Sequence, residues 1–130
     1  ADAGEFTAFA VEYATANAID LTRAPFDARA DVWMHLTQYD ECQELADLAR
    51  TEGIDLIRYA SVRDPQHKLN LALLHCSVFA YAEPVDRQTW RIMFGSNGAR
   101  ALCEMPKGRI DFDRKAFEPD PRIATMIWDR

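Results

Sequence analysis

Thr7 to Thr15 alternates, with Phe9, Val11 and Tyr13 on one face and Ala8, Ala10, Glu12 and Ala14 on the other. A period of two predicts a half-buried strand. Ala18 to Thr22 is a second short apolar piece, and Arg23 to Leu36 holds Pro25 without a sustained period. That stretch reads as a loop with one helical turn, from which Trp33 and Met34 fold back on the core. The period then changes. Cys42, Leu45, Ala46 and Ala49 fall at i, i+3, i+4 and i+7, the stripe of an amphipathic helix. Thr37, with Asp40 three residues on, resembles a capping box with a shorter acid, so the helix is expected to open at Thr37. Asp40, Glu41 and Glu44 near its start and Arg50 in its last turn suit the helix dipole. Gly53 is placed to end it with a positive φ.

Ile54 to Tyr59 and Leu69 to Leu74 have strand composition and flank a polar turn. Ser77 to Gln88, with Pro84, reads as a linker. Arg87 to Gly95 alternates again, Trp90, Ile92 and Phe94 against Arg91 and Met93. Asn97-Gly98 is a hairpin-turn signal. Arg100 to Met105 is the expected return strand, with Ala101 and Cys103 on one face and Leu102 on the other. Arg109 to Asp113 is another short strand, and a short helix is expected after Pro121. Strands dominate over one firm helix, so the fold class is α+β on an antiparallel or mixed β-sheet.

Composition narrows the functional classes. The 130 residues predict one domain. A hydrophobic fraction of 48% is that of an ordinary globular chain. The net charge of −6 argues against nucleic acid as a direct partner, because phosphate binding wants a basic face. No apolar run reaches the length of a membrane span, and no charged-then-apolar leader opens the sequence. Cys42, Cys76 and Cys103 lack metal-site pairing and read as reduced thiols of a cytoplasmic protein. Cys42, on the helix stripe, reads as a core residue and not a nucleophile. His35, His67 and His75 show no metal-ligand spacing, so no metal site is expected. There is no phosphate-binding glycine motif and no G-x-S-x-G around Ser61. A serine hydrolase would need Ser61 activated by His67 or His75, and nothing in the sequence orients either.

The polar turn between the two central strands carries the candidate chemistry. On spacing alone it is a surface turn joining core strands. The string Ile57 to Pro65, I-R-Y-A-S-V-R-D-P, is followed by N-L-A-L-L from Asn70 and preceded by Gly53. In that order the residues resemble the closing half of the RES domain, a family named for an arginine, a glutamate and a serine. Its usual form here is close to G-x-x-x-I-R-Y-P-S-x-R, then a loop, then N-x-x-L-F. Ala60 departs where the family has proline, and Gln66-His67-Lys68 departs where a glycine-rich turn is common. The likeness spans residues 5–80; a hairpin and short helix at 87–130 form the tail of the same domain.

The resemblance implies an ADP-ribosyltransferase-like fold. It also implies a toxin-type enzyme that destroys NAD+ at the nicotinamide–ribose bond by hydrolysis or phosphorolysis. NAD+ is then the substrate and no further cofactor is implied. Family members are often neutralised by an antitoxin with a helix-turn-helix region, the implied protein partner. On this reading Ser61 is the catalytic serine, and Arg58, Tyr59, Arg63 and Asn70 bind substrate or support the turn. Arg63 suits a diphosphate, since the guanidinium fork matches phosphate geometry; an ordinary surface ion pair is its alternative role. The resemblance places the family's arginine and glutamate ahead of Ala1, so the chain is expected to be the C-terminal portion of a longer protein. Exposed apolar strand residues would then let the isolated chain self-associate as a homo-oligomer. The absent acid also keeps open a second class, a non-catalytic binding module with the same fold.

Overall fold

A computed structural model describes residues 3–128. The protein is α+β, with one antiparallel sheet, one mixed sheet and few helices. It forms two compact units: residues 13–80, and the remainder on either side of them.

In the first unit, strands β2 (Ala18–Asp20), β3 (Leu56–Ala60) and β4 (Leu69–Leu73) make the mixed sheet. β2 lies parallel to β3, and β4 returns antiparallel to it. The helical turn expected in Arg23 to Leu36 is a 3-10 turn at Phe26–Arg29 followed by helix α1 (Ala30–Trp33). Helix α2 (Asp40–Thr51) follows. Leu21, Ala49 and Ile57 are buried together, with Trp33, Leu45, Ala46 and Tyr59 packed on them. Met34 turns inward as well, its sulfur accepting from the Ala60 N–H at 3.2 Å.

Helix α2 ends as its sequence dictates. Gly53 takes φ +78, the Gly53 N–H reaches the Arg50 carbonyl, and the Ile54 N–H reaches the Ala49 carbonyl. These are the two reversed bonds of a Schellman motif, which satisfy carbonyls the helix leaves open. Its start differs from expectation. The capping box at Thr37 does not form; Tyr39 stands at the N-cap with no side-chain cap bond. The amides of Thr37 and Gln38 instead donate to Nδ1 of His35, at 3.1 and 2.9 Å. The imidazole satisfies the two amides that precede the helix, which opens three residues later than expected.

In the second unit, β1 (Ala3–Ala10), β5 (Asp86–Gly95), β6 (Gly98–Glu104) and β7 (Lys107–Asp113) form an antiparallel sheet in the order β1-β5-β6-β7. The first strand is displaced from Thr7–Thr15. Its ladder with β5 ends at Ala10 opposite Asp86, where β5 itself begins. As an edge strand it is largely exposed, Phe6 and Phe9 included, where half-burial was expected. Beyond it Val11 is exposed, and Tyr13 makes an isolated bridge to Phe79.

The hairpin turn is also one residue off. Gly95 pairs with Gly98, so Ser96 and Asn97 form the loop and Gly98 opens β6. Ala101 and Cys103 are buried on one face of β6, as the alternation predicts. Phe94 on β5, Phe112 on β7, and Phe117 and Trp128 after it form an aromatic cluster. Helix α3 (Pro121–Ala124) starts with proline inside its first turn. Its N-cap Asp120, 1% exposed, accepts from the Arg122 N–H and guanidinium.

Candidate functional site

The turn between β3 and β4 is built by its own polar groups. The ladder extends one step past β3, where the Ser61 N–H donates to the Lys68 carbonyl at 2.8 Å. The chain then opens into a loop that Asp64 organises. One carboxylate oxygen accepts from the Gln66 N–H at 2.9 Å, the other from the Lys68 N–H at 3.2 Å. The Asp64 carbonyl accepts from the His67 N–H. This is aspartate closing a turn on its own following backbone. The Asp64 N–H donates in turn to Oγ of Ser61 at 3.2 Å. Ser61 therefore sits at a strand exit with an oxygen lone pair used by the loop and its hydroxyl proton available.

His67 explains one departure from the RES pattern. It has φ +50, a conformation glycine adopts without steric cost. Its Nδ1 lies 2.9 Å from the Ser61 carbonyl oxygen. A carbonyl only accepts, so Nδ1 carries the proton in this contact. The imidazole braces the backbone of Ser61 and is not aimed at its hydroxyl. His75 is tied elsewhere, to the N–H and hydroxyl of Ser77.

The other expected site residues divide between locations. Arg63 donates to the Tyr39 hydroxyl at 3.0 Å, and that hydroxyl donates to the Leu36 carbonyl. A residue 24 positions upstream thus orients the guanidinium. Tyr59 packs against the core. Arg58 lies 3.7 Å from the Asp20 carboxylate on the neighbouring strand. Asp20 is held below the usual carboxylate range by the Thr22 hydroxyl first, then by the Thr22 N–H and the charges of Arg58 and Arg23. Asn70 is exposed on β4 opposite Tyr59. The fold thus gathers Ser61, Asp64, His67 and Arg63 on one turn and engages Arg58 with β2. Tyr39 and Asp64 were not singled out from the sequence, and His67 was weighed only as an activator of Ser61. The Asp-Pro pair at the head of the turn was the available signal for Asp64.

Residues 1–95 match the family model of the RES domain, nearly three quarters of the chain. The chain belongs to the RES-domain family. The match runs past residue 80 to Gly95, the end of β5, and leaves β6, β7 and α3 outside it. No curated protein matches the chain. The RES motif from Gly53 to Asn70 coincides with the end of α2, strand β3, the Asp64 turn and the start of β4.

The turn has a pH signature. Asp64 is held below its ordinary pKa of 3.8, first by the Gln66 amide; desolvation opposes it, and the Lys68 amide and nearby positive charge add to the lowering. A carboxylate depressed in the folded state stabilises above its unfolded pKa, and the effect is lost as pH falls through the folded value. The loop is expected to keep its order from neutrality down to the ordinary aspartate range and to loosen below it. Amide chemical shifts of Gln66 and Lys68 followed from pH 6 to 2 would show this transition in the native chain. Asp64→Asn should erase it; an unchanged transition in that variant would reassign the titrating group.

Proposed function

We propose that this RES-domain protein cleaves NAD+ at the nicotinamide–ribose bond, with water or phosphate as the acceptor. The observation that carries the reading is Ser61, the family serine, fixed at the exit of β3 by the Asp64 amide with its hydroxyl proton free to donate. Breaking this bond builds positive charge on the ribose and sends electrons to the departing ring. A positioned hydroxyl fixes the sugar and ring in the reactive geometry, which is where positioning lowers a barrier. Arg63 supplies the planar fork for the diphosphate, already oriented by Tyr39. Arg58, Tyr59 and Asn70 frame the strand pair that presents the serine. Asp64 is unsuited as the acid facing the sugar, because both carboxylate oxygens are occupied by backbone amides. The resemblance assigns that role to a glutamate. The same resemblance supplies the proposed protein partner, a helix-turn-helix antitoxin.

The test is incubation of the longest encoded form of the protein with NAD+, following free nicotinamide. Products with and without inorganic phosphate would separate hydrolysis from phosphorolysis. Release of nicotinamide is expected. Absence of release from the longest form would sink the catalytic reading.

A second reading, a binding module without turnover, draws on the other unit. Arg87, Arg91, Lys107 and Arg109 line a recess of about 930 Å3 on the sheet, with Glu5 and Glu104 among them. A predominantly basic recess on a chain of net charge −6 suits an acidic partner. This reading stands if NAD+ is neither bound nor cleaved.

A further inference from the structure

β5 borders β1 from Asp86 to Met93, but it borders β6 only from Trp90 onward. From Asp86 to Thr89 it has a strand on one side and, among the described residues, no backbone partner on the other. The β6–β7 hairpin stops short of this stretch, turning back through Met105 and Pro106. The recess of about 930 Å3 lies here, with Arg87 and Arg91 of β5 and Lys107 and Arg109 of β7 in its wall. Alternation puts Arg87, Thr89 and Arg91 on one face of β5, and the register carries that face through Leu102 to Arg109. All four cations are exposed. Arg109 shares the Asp111 carboxylate with Arg100, each at 2.8 Å, which orients its guanidinium. Arg87 lies over the Phe9 ring. Glu5 stands opposite Arg91 in the ladders and Glu104 opposite Lys107. Among the described residues, neither of these two pairs closes to an ion pair.

We infer that this recess docks an extended acidic segment of a partner protein, which adds as a short strand along the open edge of β5 and turns its carboxylates to the face of Arg87, Arg91, Lys107 and Arg109. An open strand edge templates such an addition: main-chain bonds give affinity, and alternate side chains give specificity. Alternate side chains of an extended chain lie about 7 Å apart on one side, which is also the spacing of Lys107 and Arg109 on their strand. The mixed charge of the wall favours a peptide over a phosphate chain. A phosphate backbone offers acceptors only and would set its charge against Glu5 and Glu104, whereas a peptide brings backbone N–H donors to them. Met105, 84% exposed at the hairpin turn, and half-buried Leu102 add apolar contact between the charges. The inference deepens the binding reading of this recess and is separate from the chemistry at Ser61, which belongs to the other unit.

The probe is a fluorescein-labelled, end-capped hexapeptide of alternating glutamate and valine, and its control carries lysine in place of glutamate. Fluorescence anisotropy is expected to show saturable binding of the acidic peptide, weakened by salt, and none of the basic one. In the 15N-labelled protein the backbone amides of residues 86–89 should shift, because an added strand bonds to backbone. Arg91→Glu and Lys107→Glu made together, both at exposed positions, should weaken binding at least about tenfold, since two attractive contacts become repulsive ones. Equal binding of the two peptides, unchanged affinity in the double variant, or amides 86–89 that do not move would each overturn the inference. Tighter binding of an oligothymidylate of the same charge would mark a site for phosphate chains and overturn it as well. Should the double variant not fold, the two peptides and the amide shifts on the native protein decide. Nicotinamide release by the double variant, expected at the parent's rate, is a separate readout, so this proposal can fail while the enzymatic one holds.

Discussion

Ser61→Ala is expected to slow nicotinamide release by the longest encoded form of the protein about 10²–10³-fold, the usual loss when one positioned hydrogen-bond donor is removed from a transition state. The donor in question is the Ser61 hydroxyl, whose oxygen already accepts from the Asp64 N–H at 3.2 Å. Among the described residues no acceptor takes its proton. The substitution has a structural cost too, since it leaves the Asp64 amide without its acceptor. The cost is modest, because the loop retains the Ser61–Lys68 backbone bond, the His67 brace and both carboxylate bonds of Asp64. A variant with native circular dichroism and unfolding midpoint but strongly reduced turnover would place the effect in the reaction. The KM for NAD+ should change far less than kcat, because a contact made chiefly in the transition state lowers kcat. Turnover within about threefold of the parent would remove Ser61 from the reaction, since a positioned donor contributes far more than that.

Legibility in the sequence followed the range of the forces involved. Helix α2 was readable because its stripe and its Gly53 terminus are local signals, within one or two turns of each other. β3, β4 and β5 were readable from short-range composition and alternation. The limits of β1 were not, because an edge strand ends where its partner ends, and Asp86 is 76 residues from Ala10. The true N-cap of α2 was hidden for a related reason. A His35 imidazole accepting two backbone amides competes with Thr37 in a way no propensity scale records.

The candidate site divides along the same line. Ser61 and its neighbours stood out through the RES motif, and that family membership now covers residues 1–95. What the motif could not say is how each side chain is held. The Tyr39–Arg63 bond joins the head of a helix to a turn, and the brace from His67 to Ser61 depends on a positive φ in a non-glycine residue. The unpartnered indole of Trp33 belongs to the same class. Packing decides whether a donor is satisfied, and packing is a property of the whole unit.

Gly98→Ala should be among the most damaging single-methyl additions to this chain. A β-carbon on Gly98 would run into the carbonyl oxygen of Phe112 on β7, with the Phe112 carbonyl carbon 3.1 Å away and the Arg114 nitrogen 3.3 Å away. These are backbone atoms, so no rotamer change relieves the clash. Gly98 also has φ +156, where side chains are disfavoured. It pairs with Gly95 on one side and Asp113 on the other, so relief requires β6 and β7 to part at this end. Parting would strain the bond from the Arg114 N–H to the Asn97 carbonyl and the contacts Arg114 makes with Ser96, Ala124 and Met126. Overpacking and backbone strain each cost about 1–3 kcal/mol, so a loss of about 2–5 kcal/mol is expected. That is a large part of the stability of a small protein, typically about 5–15 kcal/mol. Gly53→Ala is the matched control: φ is +78, but nothing lies within 4 Å of the added carbon. It should cost only about 1 kcal/mol, the left-handed penalty for a residue with a β-carbon. Urea midpoints for both variants, with amide exchange across β6 and β7, separate the two causes. Equal destabilisation by the two substitutions would mean that backbone conformation, and not the approach of β7, is what demands glycine at position 98.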